Sequence, residues 1–231
     1  MKKLVVLSGA GMSKESGIST FREAGGLWDQ YRIEEVATPE AWQRNPGLVL
    51  DFYNQRRLQL INSEPNDGHK GLADLEKFFD VRIITQNIDN LHERAGSSHV
   101  LHLHGELMKV RSERYEELIY ELSSENAEVH LGDTCEKGYQ LRPHIVWFGE
   151  AVPMIEQAAR ITEEADIFVI IGTSMNVYPA AGLIHHVSRD VPVYLIDPNE
   201  VSVSGGYNVK VIRHGASEGV KILSEELFAL S

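Results

Sequence analysis

Apolar residues along this chain follow two rhythms. Short, nearly unbroken runs occur at "KLVVLS" (3–8), "VRIIT" (81–85), "VLHLH" (100–104), "DIFVIIGT" (166–173), "VPVYLID" (191–197) and "NVKVIRH" (208–214). They lack the strict alternation of a strand with one wet face, so they predict strands buried on both faces. Between them, "GHKGLADLEKFF" repeats apolar residues at Leu72, Leu75, Phe78 and Phe79, and "MIEQAARITEEA" does so at Ile155, Ala158, Ala159 and Ile161, the spacing of amphipathic helices. Strand and helix in alternation predict an α/β fold, a doubly wound Rossmann-like parallel sheet with right-handed crossovers. Ligands of such sheets sit beyond the carboxyl ends of the strands. The loops after "VVLS", "RIIT" and "FVII" are therefore predicted to converge.

The rhythm breaks twice. Residues 23–61 are irregular, and "YEELIYELSSENAEVHLGDTCEKGYQL" is charged and mixed in pattern. The reading is one catalytic domain over 1–231, with a smaller lobe of about 24–61 and 106–142 inserted into the core. Tyr115, Leu118, Ile119, Leu122 and Leu131, spaced in part as a helix face, are predicted to hold that lobe together.

Composition narrows the class. A chain of 231 residues with 42% hydrophobic content can bury a full core. Its net charge of -12 argues against a nucleic-acid partner, which calls for clustered Lys and Arg. No apolar run is long enough to span a membrane, and "MKKLVVLSGAG" does not have the build of a signal peptide, so a cytoplasmic protein is expected; a monomer is expected as well. Cys135 stands alone and excludes an internal disulfide.

Chemistry concentrates at the predicted strand ends. Gly9 and Gly11 follow the first strand, suited to close backbone approach to a pyrophosphate above a helix N-terminus. The usual dinucleotide fingerprint asks for a third glycine where Lys14 stands, and the next glycine is Gly17. Gly172, Thr173 and Ser174 form a second polar, glycine-led strand end. Two such loops favour an extended ligand such as a dinucleotide. "TQNIDNLHERAG" (85–96) offers two amides, an apolar residue and an acid in succession; Asn87, Asp89 and Asn90 could instead shape a turn and cap a helix. In "HLHGEL", His102 and His104 would share one face of an extended run, and a metal site there lacks a third ligand.

Taken together, "GAGMSKESGISTFR", "TQNIDNLHERAG", "LHLHGEL", "RPHIVWFGE" and "GTSMNVYPAAG" occur in the order and at about the spacing found in sirtuins, the NAD-dependent protein deacylases. The chain resembles bacterial members that also remove succinyl or malonyl groups. The resemblance implies that Asp89 accepts a hydrogen bond from the nicotinamide carboxamide, with the Ile88 amide as donor and Gln86 and Asn87 along the ribose. It makes His104 the general base: the acyl-lysine carbonyl oxygen attacks the nicotinamide ribose, nicotinamide leaves, and His104 takes a proton from the ribose hydroxyl that then attacks the imidate carbon. Ala10, Gly11 and Ser13 approach phosphates and ribose beside Gly9, while Phe21 and Arg22 belong to a segment that orders over NAD. Ser174 and Asp197 serve the adenosine end, Asp197 standing where many sirtuins carry Asn.

Acyl-lysine protein substrates are expected between the lobes. "IVWFGE", Gly149 included, resembles the strand that pairs with the peptide. Val146 supplies a carbonyl for the substrate Nε–H, and Trp147 and Phe148 line or flank the tunnel; alone, Trp147 reads as core. Tyr53 and Arg56, three apart on a helix, would hold an acidic acyl group, and the small Ala24 leaves room for it. Their alternative is an exposed basic face of Arg56 and Arg57 with Tyr53 half buried. Most sirtuins also hold a structural zinc on four cysteines. Here Ser112 replaces the first and only Cys135 survives, with His130 and Asp133 as weak substitutes, so no zinc is expected. Two other classes share the motifs: an NAD-cleaving enzyme or ADP-ribosyltransferase, and a non-catalytic NAD-sensing module.

Overall fold

The computed structural model describes residues 1–18, 31–203 and 206–229. Its larger sheet is parallel throughout and runs, among the described residues, in the order β3 (Val100–His102), β2 (Asp80–Thr85), β1 (Lys3–Ser8), β7 (Ile167–Ile171), β8 (Val193–Ile196), β9 (Val209–Ile212). The chain leaves β1 in both directions, so the order reverses between β1 and β7, the topological switch point of a doubly wound sheet. Side chains of β1 divide between two cores. Leu4 and Val6 join Leu72, Leu75 and Leu223 on one face; Val5 and Leu7 join Phe168, Ala158 and Leu183 on the other. Burial on both faces is why these strands read as unbroken apolar runs.

The first face is covered by α4 (Asp67–Leu75) and α7 (Ala216–Ala229), the second by α6 (Ile155–Glu163) and a 3-10 segment at Ala180–His186. Asn66 caps α4, its carboxamide oxygen accepting from the amides of Gly68 and His69. The helix stops at Leu75. Phe78 therefore falls beyond it and lies 57% exposed, stacked on Phe228 at the end of α7, rather than in the core that helical spacing predicts. No helix among the described residues is long and apolar enough to cross a membrane.

A separate antiparallel sheet forms from β5 (Ile119–Glu121), β4 (Gly105–Ser112) and β6 (Leu141–Ile145). Against it pack α1 (Ile33–Val36), α2 (Pro39–Arg44) and α3 (Pro46–Ile61), sharing a core of Trp42, Val49, Leu50, Phe52, Tyr53, Leu107, Val110, Ile145 and Trp147. The helix face read from residues 115–131 does not exist, although Leu122 packs against the core of the lobe. That stretch is strand and turn; Ile119 and Leu131 are exposed, while Tyr115 stacks on Tyr139 with the Lys137 ammonium 3.8 Å from its ring. Turn-rich antiparallel sheet has no period long enough to separate from chance helical spacing in one charged segment.

Candidate active site

The loops after β1 and β7 meet at the switch point. Gly11 donates its amide to the Gly172 carbonyl at 2.8 Å, and a Cβ on Gly11 would lie 2.7 Å from the Gly172 Cα. Gly172 sits at φ 63, and a Cβ there would come 2.3 Å from the Met12 nitrogen. These glycines let two strand ends touch, which joins the floor of the crevice more directly than it serves a ligand. Gly9 is held in the same way, its amide bonded to the Ile171 carbonyl at 3.0 Å. The expected helix N-terminus is replaced by two 3-10 turns, Ala10–Met12 and Lys14–Ser16.

The loop after β2 docks beside them. Gln86 donates from Nε2 to the Thr173 hydroxyl at 3.1 Å, Asn87 from Nδ2 to the Gly9 carbonyl and to Ser13 Oγ, each at 3.1 Å, and Ser13 donates its hydroxyl to Asp89 at 2.9 Å. Residues from three separate motifs are thus one hydrogen-bonded group. Asp89 also accepts the Leu91 amide at 3.2 Å, so the capping interpretation is partly right, although Asn90 makes no side-chain cap. Burial raises the Asp89 pKa, opposed by its Ser13 and Leu91 bonds. A carboxylate has about four acceptor positions, so these two bonds leave room for a ligand donor. The Ile88 carbonyl accepts the Leu107 amide at 2.7 Å and ties this loop to β4.

The strand β3 ends at His102, so His104 lies beyond it and the two histidines do not share a face through strand alternation. His104 Nδ1 lies 2.9 Å from the Gln86 carbonyl. A carbonyl only accepts, so Nδ1 carries the hydrogen and Nε2 keeps its lone pair. Burial lowers the His104 pKa against that bond, leaving a neutral imidazole near pH 7. His102 is its opposite. It contacts the Asn87 carbonyl at 3.0 Å and the Glu93 carboxylate at 2.7 Å, acceptors on both nitrogens. Burial works against its charge, but the Glu93 bond and charge outweigh it and raise the pKa. Gly105, at φ 81, follows directly; a Cβ there would strike the His144 carbonyl at 2.0 Å.

The small lobe adds a second group, with Arg56 within electrostatic reach of Asp89. Tyr53 is 2% exposed and Arg57 fully buried, while Arg56 is partly buried within electrostatic reach of Tyr53 and Asp89. The exposed basic face is thereby excluded. Arg57 occupies a position of the buried α3 stripe, donating from Nε to the Leu107 carbonyl at 2.9 Å and from Nη1 to Asn54 at 2.7 Å. Strand β6 ends at Ile145, so Val146, Trp147, Phe148 and Gly149 are not strand residues. Val146 donates to the His104 carbonyl at 2.9 Å, Trp147 is buried, and Phe148 is exposed beside Gly149 at φ 91. Trp147 donates from Nε1 to the Tyr53 hydroxyl at 3.0 Å.

Ser174 is partly buried at the β7 loop, and Asp197 closes a local turn at the end of β8, accepting the Asn199 amide at 2.8 Å. Phe21, Arg22 and Ala24 lie outside the described residues. Several participants were not found by sequence reasoning. Glu93 holds His102, Thr85 accepts the Asn87 amide at 3.0 Å, and Arg142 pairs with Glu150 through both its terminal nitrogens at 2.8 and 3.1 Å. Glu93 and Glu150 lie inside quoted motifs, which were the available signal.

At the place of the zinc, Cys135 Sγ bonds to Ser112 Oγ at 3.4 Å, and Ser112 Oγ also accepts the amides of Arg114 and Tyr115. His130 instead faces Glu128, and Asp133 accepts the His130 amide. Among the described residues no three His, Cys, Asp or Glu side chains gather as ligands, and a hydroxyl with one thiol does not fit a closed tetrahedral site.

A glycine-joined crevice at the switch point of a parallel sheet, faced by a neutral histidine and a second lobe, defines a dinucleotide-type α/β enzyme site. The model of the Sir2 family matches residues 9–179, and the chain belongs to that family. An NAD-dependent protein deacylase of Bacteroides thetaiotaomicron is 63% identical over 230 residues, covering 98% of each chain. A Sir2 homologue solved with NAD superposes with a TM-score of 0.89 at 40% identity, covering all of this chain and 91% of that one. A Sir2 enzyme solved with a deacetylated p53 peptide and 3'-O-acetyl-ADP-ribose gives 0.82 at 29% identity, covering 96% and 92%.

Proposed function

We propose that this NAD-dependent protein deacylase removes both acetyl and dicarboxylic acyl groups, succinyl or malonyl, from lysine, and passes them to ADP-ribose with release of nicotinamide. The residues of the switch point suit NAD. Gly9, Ala10, Gly11 and Ser13 would face its phosphates and ribose, and Gln86, Asn87 and Asp89 its nicotinamide half. Gly172, Thr173, Ser174 and Asp197 would serve the remainder. When bound, NAD supplies an electrophilic ribose carbon from which nicotinamide departs. His104 then takes the ribose hydroxyl proton at Nε2, the nitrogen left free when Nδ1 donates to Gln86. Asp89 accepts from the carboxamide, and the Val146 carbonyl accepts the substrate Nε–H.

One observation carries the acidic-acyl part. On α3, Tyr53 and Arg56 adjoin one another, and behind them Arg57 is fully buried with no acidic partner among the described residues. Burial lowers the Arg57 pKa to about 10, still a cation near neutrality. With no acidic partner among the described residues, the Arg57 charge biases the surroundings of Tyr53 toward an incoming carboxylate, and the Arg56 guanidinium suits the geometry of one. The test is incubation with NAD and one peptide carrying acetyl- or succinyl-lysine, with mass spectrometry of the products. O-succinyl-ADP-ribose and O-acetyl-ADP-ribose are both expected. Absence of the former ends the acidic-acyl reading, and absence of both ends the deacylase reading.

A further inference from the structure

Tyr53 and Trp147 form a pair whose hydrogen-bond polarity is fixed by chemistry alone. An indole nitrogen only donates, so in the 3.0 Å contact the Tyr53 oxygen is the acceptor. This is the hydroxyl's one hydrogen bond among the described residues, and the charged groups acting on it, Arg56, Arg142 and Arg57, are guanidinium donors as well. None of them can receive the Tyr53 proton. Burial pushes the Tyr53 pKa up to about 12, so that proton stays in place throughout the working range.

The indole itself is over-determined. The Arg142 guanidinium carbon lies 3.5 Å from the centre of its ring, Trp42 packs at 5.8 Å, and its backbone amide donates to Glu150 at 2.7 Å. Glu150 is gripped in turn by both terminal nitrogens of Arg142, with Arg111 at 3.7 Å. A donor held from three directions acts as a fixed dipole rather than as general packing.

We infer that Trp147 is a positioning residue for acyl specificity: by occupying the Tyr53 oxygen, its indole N–H leaves the Tyr53 hydroxyl hydrogen to be donated to an anionic acyl end beside Arg56. The inference rests on the acidic-acyl reading above and adds to it a reason for the pairing of Tyr53 with a tryptophan. A dicarboxylic acyl group presents an acceptor oxygen and a charge at that point, whereas an acetyl methyl presents neither. Hydrogen bonds in sequence polarise one another, so the Trp147 bond makes Tyr53 a stronger donor.

The test compares wild type, Trp147→Phe, Tyr53→Phe and the double variant, measuring kcat and KM on acetyl- and succinyl-lysine forms of one peptide. Phenylalanine keeps an aromatic ring beneath Arg142 and removes the N–H. Trp147→Phe is expected to lower the succinyl-to-acetyl ratio of kcat/KM by roughly three- to tenfold, chiefly through KM for the succinyl peptide. In the Tyr53→Phe background the same change should move the ratio less than about twofold, since the relay is already broken. An unchanged ratio in Trp147→Phe, or an equal fall in both backgrounds, overturns the proposal. Benzothienylalanine at position 147 keeps the bicyclic shape without the N–H and decides the matter if Trp147→Phe does not fold. A wild type inactive on the succinyl peptide would instead defeat the acidic-acyl reading, and this inference with it, before any variant is compared.

Discussion

The two walls of the cleft are built from different materials. At the switch point the polar groups are main-chain amides and carbonyls and short side chains, Ser13, Asn87, Asp89 and Thr173, each held by another within 3.3 Å. The small lobe contributes long side chains, Tyr53 and Arg56 on α3, Arg142 in β6 and Trp147 just beyond it. Short groups on touching loops have little freedom to lose and fix geometry cheaply. Long cationic and aromatic groups carry charge and shape instead, and need a packed core to aim them. On the proposed reading, the first wall serves what every turnover shares, and the second what distinguishes one acyl group from another.

If that division holds, damage to the first wall is indifferent to the acyl group. His104→Ala should reduce kcat by about 10²- to 10⁴-fold on acetyl and succinyl peptides alike, with NAD binding by calorimetry nearly intact. Activity within tenfold of wild type would remove His104 from the role of base. Damage to the second wall should be selective. Arg56→Met is expected to raise KM for the succinyl peptide by about 10- to 150-fold, the worth of a desolvated charge-assisted pair, and to affect the acetyl peptide far less. Equal losses on both substrates would erase the division between the walls.

The histidine pair allows a finer test within the first wall. The folded pKa of His102 is raised, so its charged hydrogen bonds contribute stability that is complete below about pH 6.5 and lost as pH rises through the folded value. The Tm advantage of wild type over His102→Asn should shrink as pH increases above 6.5. His104 shifts the other way, which places the acid limb of kcat/KM below 6.5. The smallest effect is expected from metal removal. With Ser112 bonded to Cys135, chelation should leave Tm and activity of purified, untagged protein unchanged, and stoichiometric zinc in metal analysis would contradict this.

The parallel core and its loops were legible because two-sided burial writes itself as unbroken apolar runs and strand-end chemistry stays local in sequence. The motif at residues 85–90 could be read as polar ligand chemistry, but its partners Gly9, Ser13 and Thr173 became visible only once β1, β2 and β7 lay side by side. Arg57 shows the limit of periodicity. It fills a slot in the buried stripe of α3 that hydropathy reserves for an aliphatic residue, and nothing local announces the Leu107 carbonyl that makes this tolerable. Trp147, taken alone, reads correctly as core, but its N–H has a direction that only the fold supplies. In residues 106–142, high charge and short turns left no period to read.

The backbone of Leu107 accepts from Arg57 through its carbonyl and donates to the Ile88 carbonyl through its amide. Its consequence is a constraint on substitution. On the proposed reading, positions 53 and 56 of α3 answer to the acyl group alone. Position 57 answers to two masters, since whatever stands there also sets the strand that holds the loop of Asp89. A substitution at 57 is thus expected to loosen the loop that holds Asp89 as well as α3, whereas the Leu107 tether does not pass through positions 53 and 56.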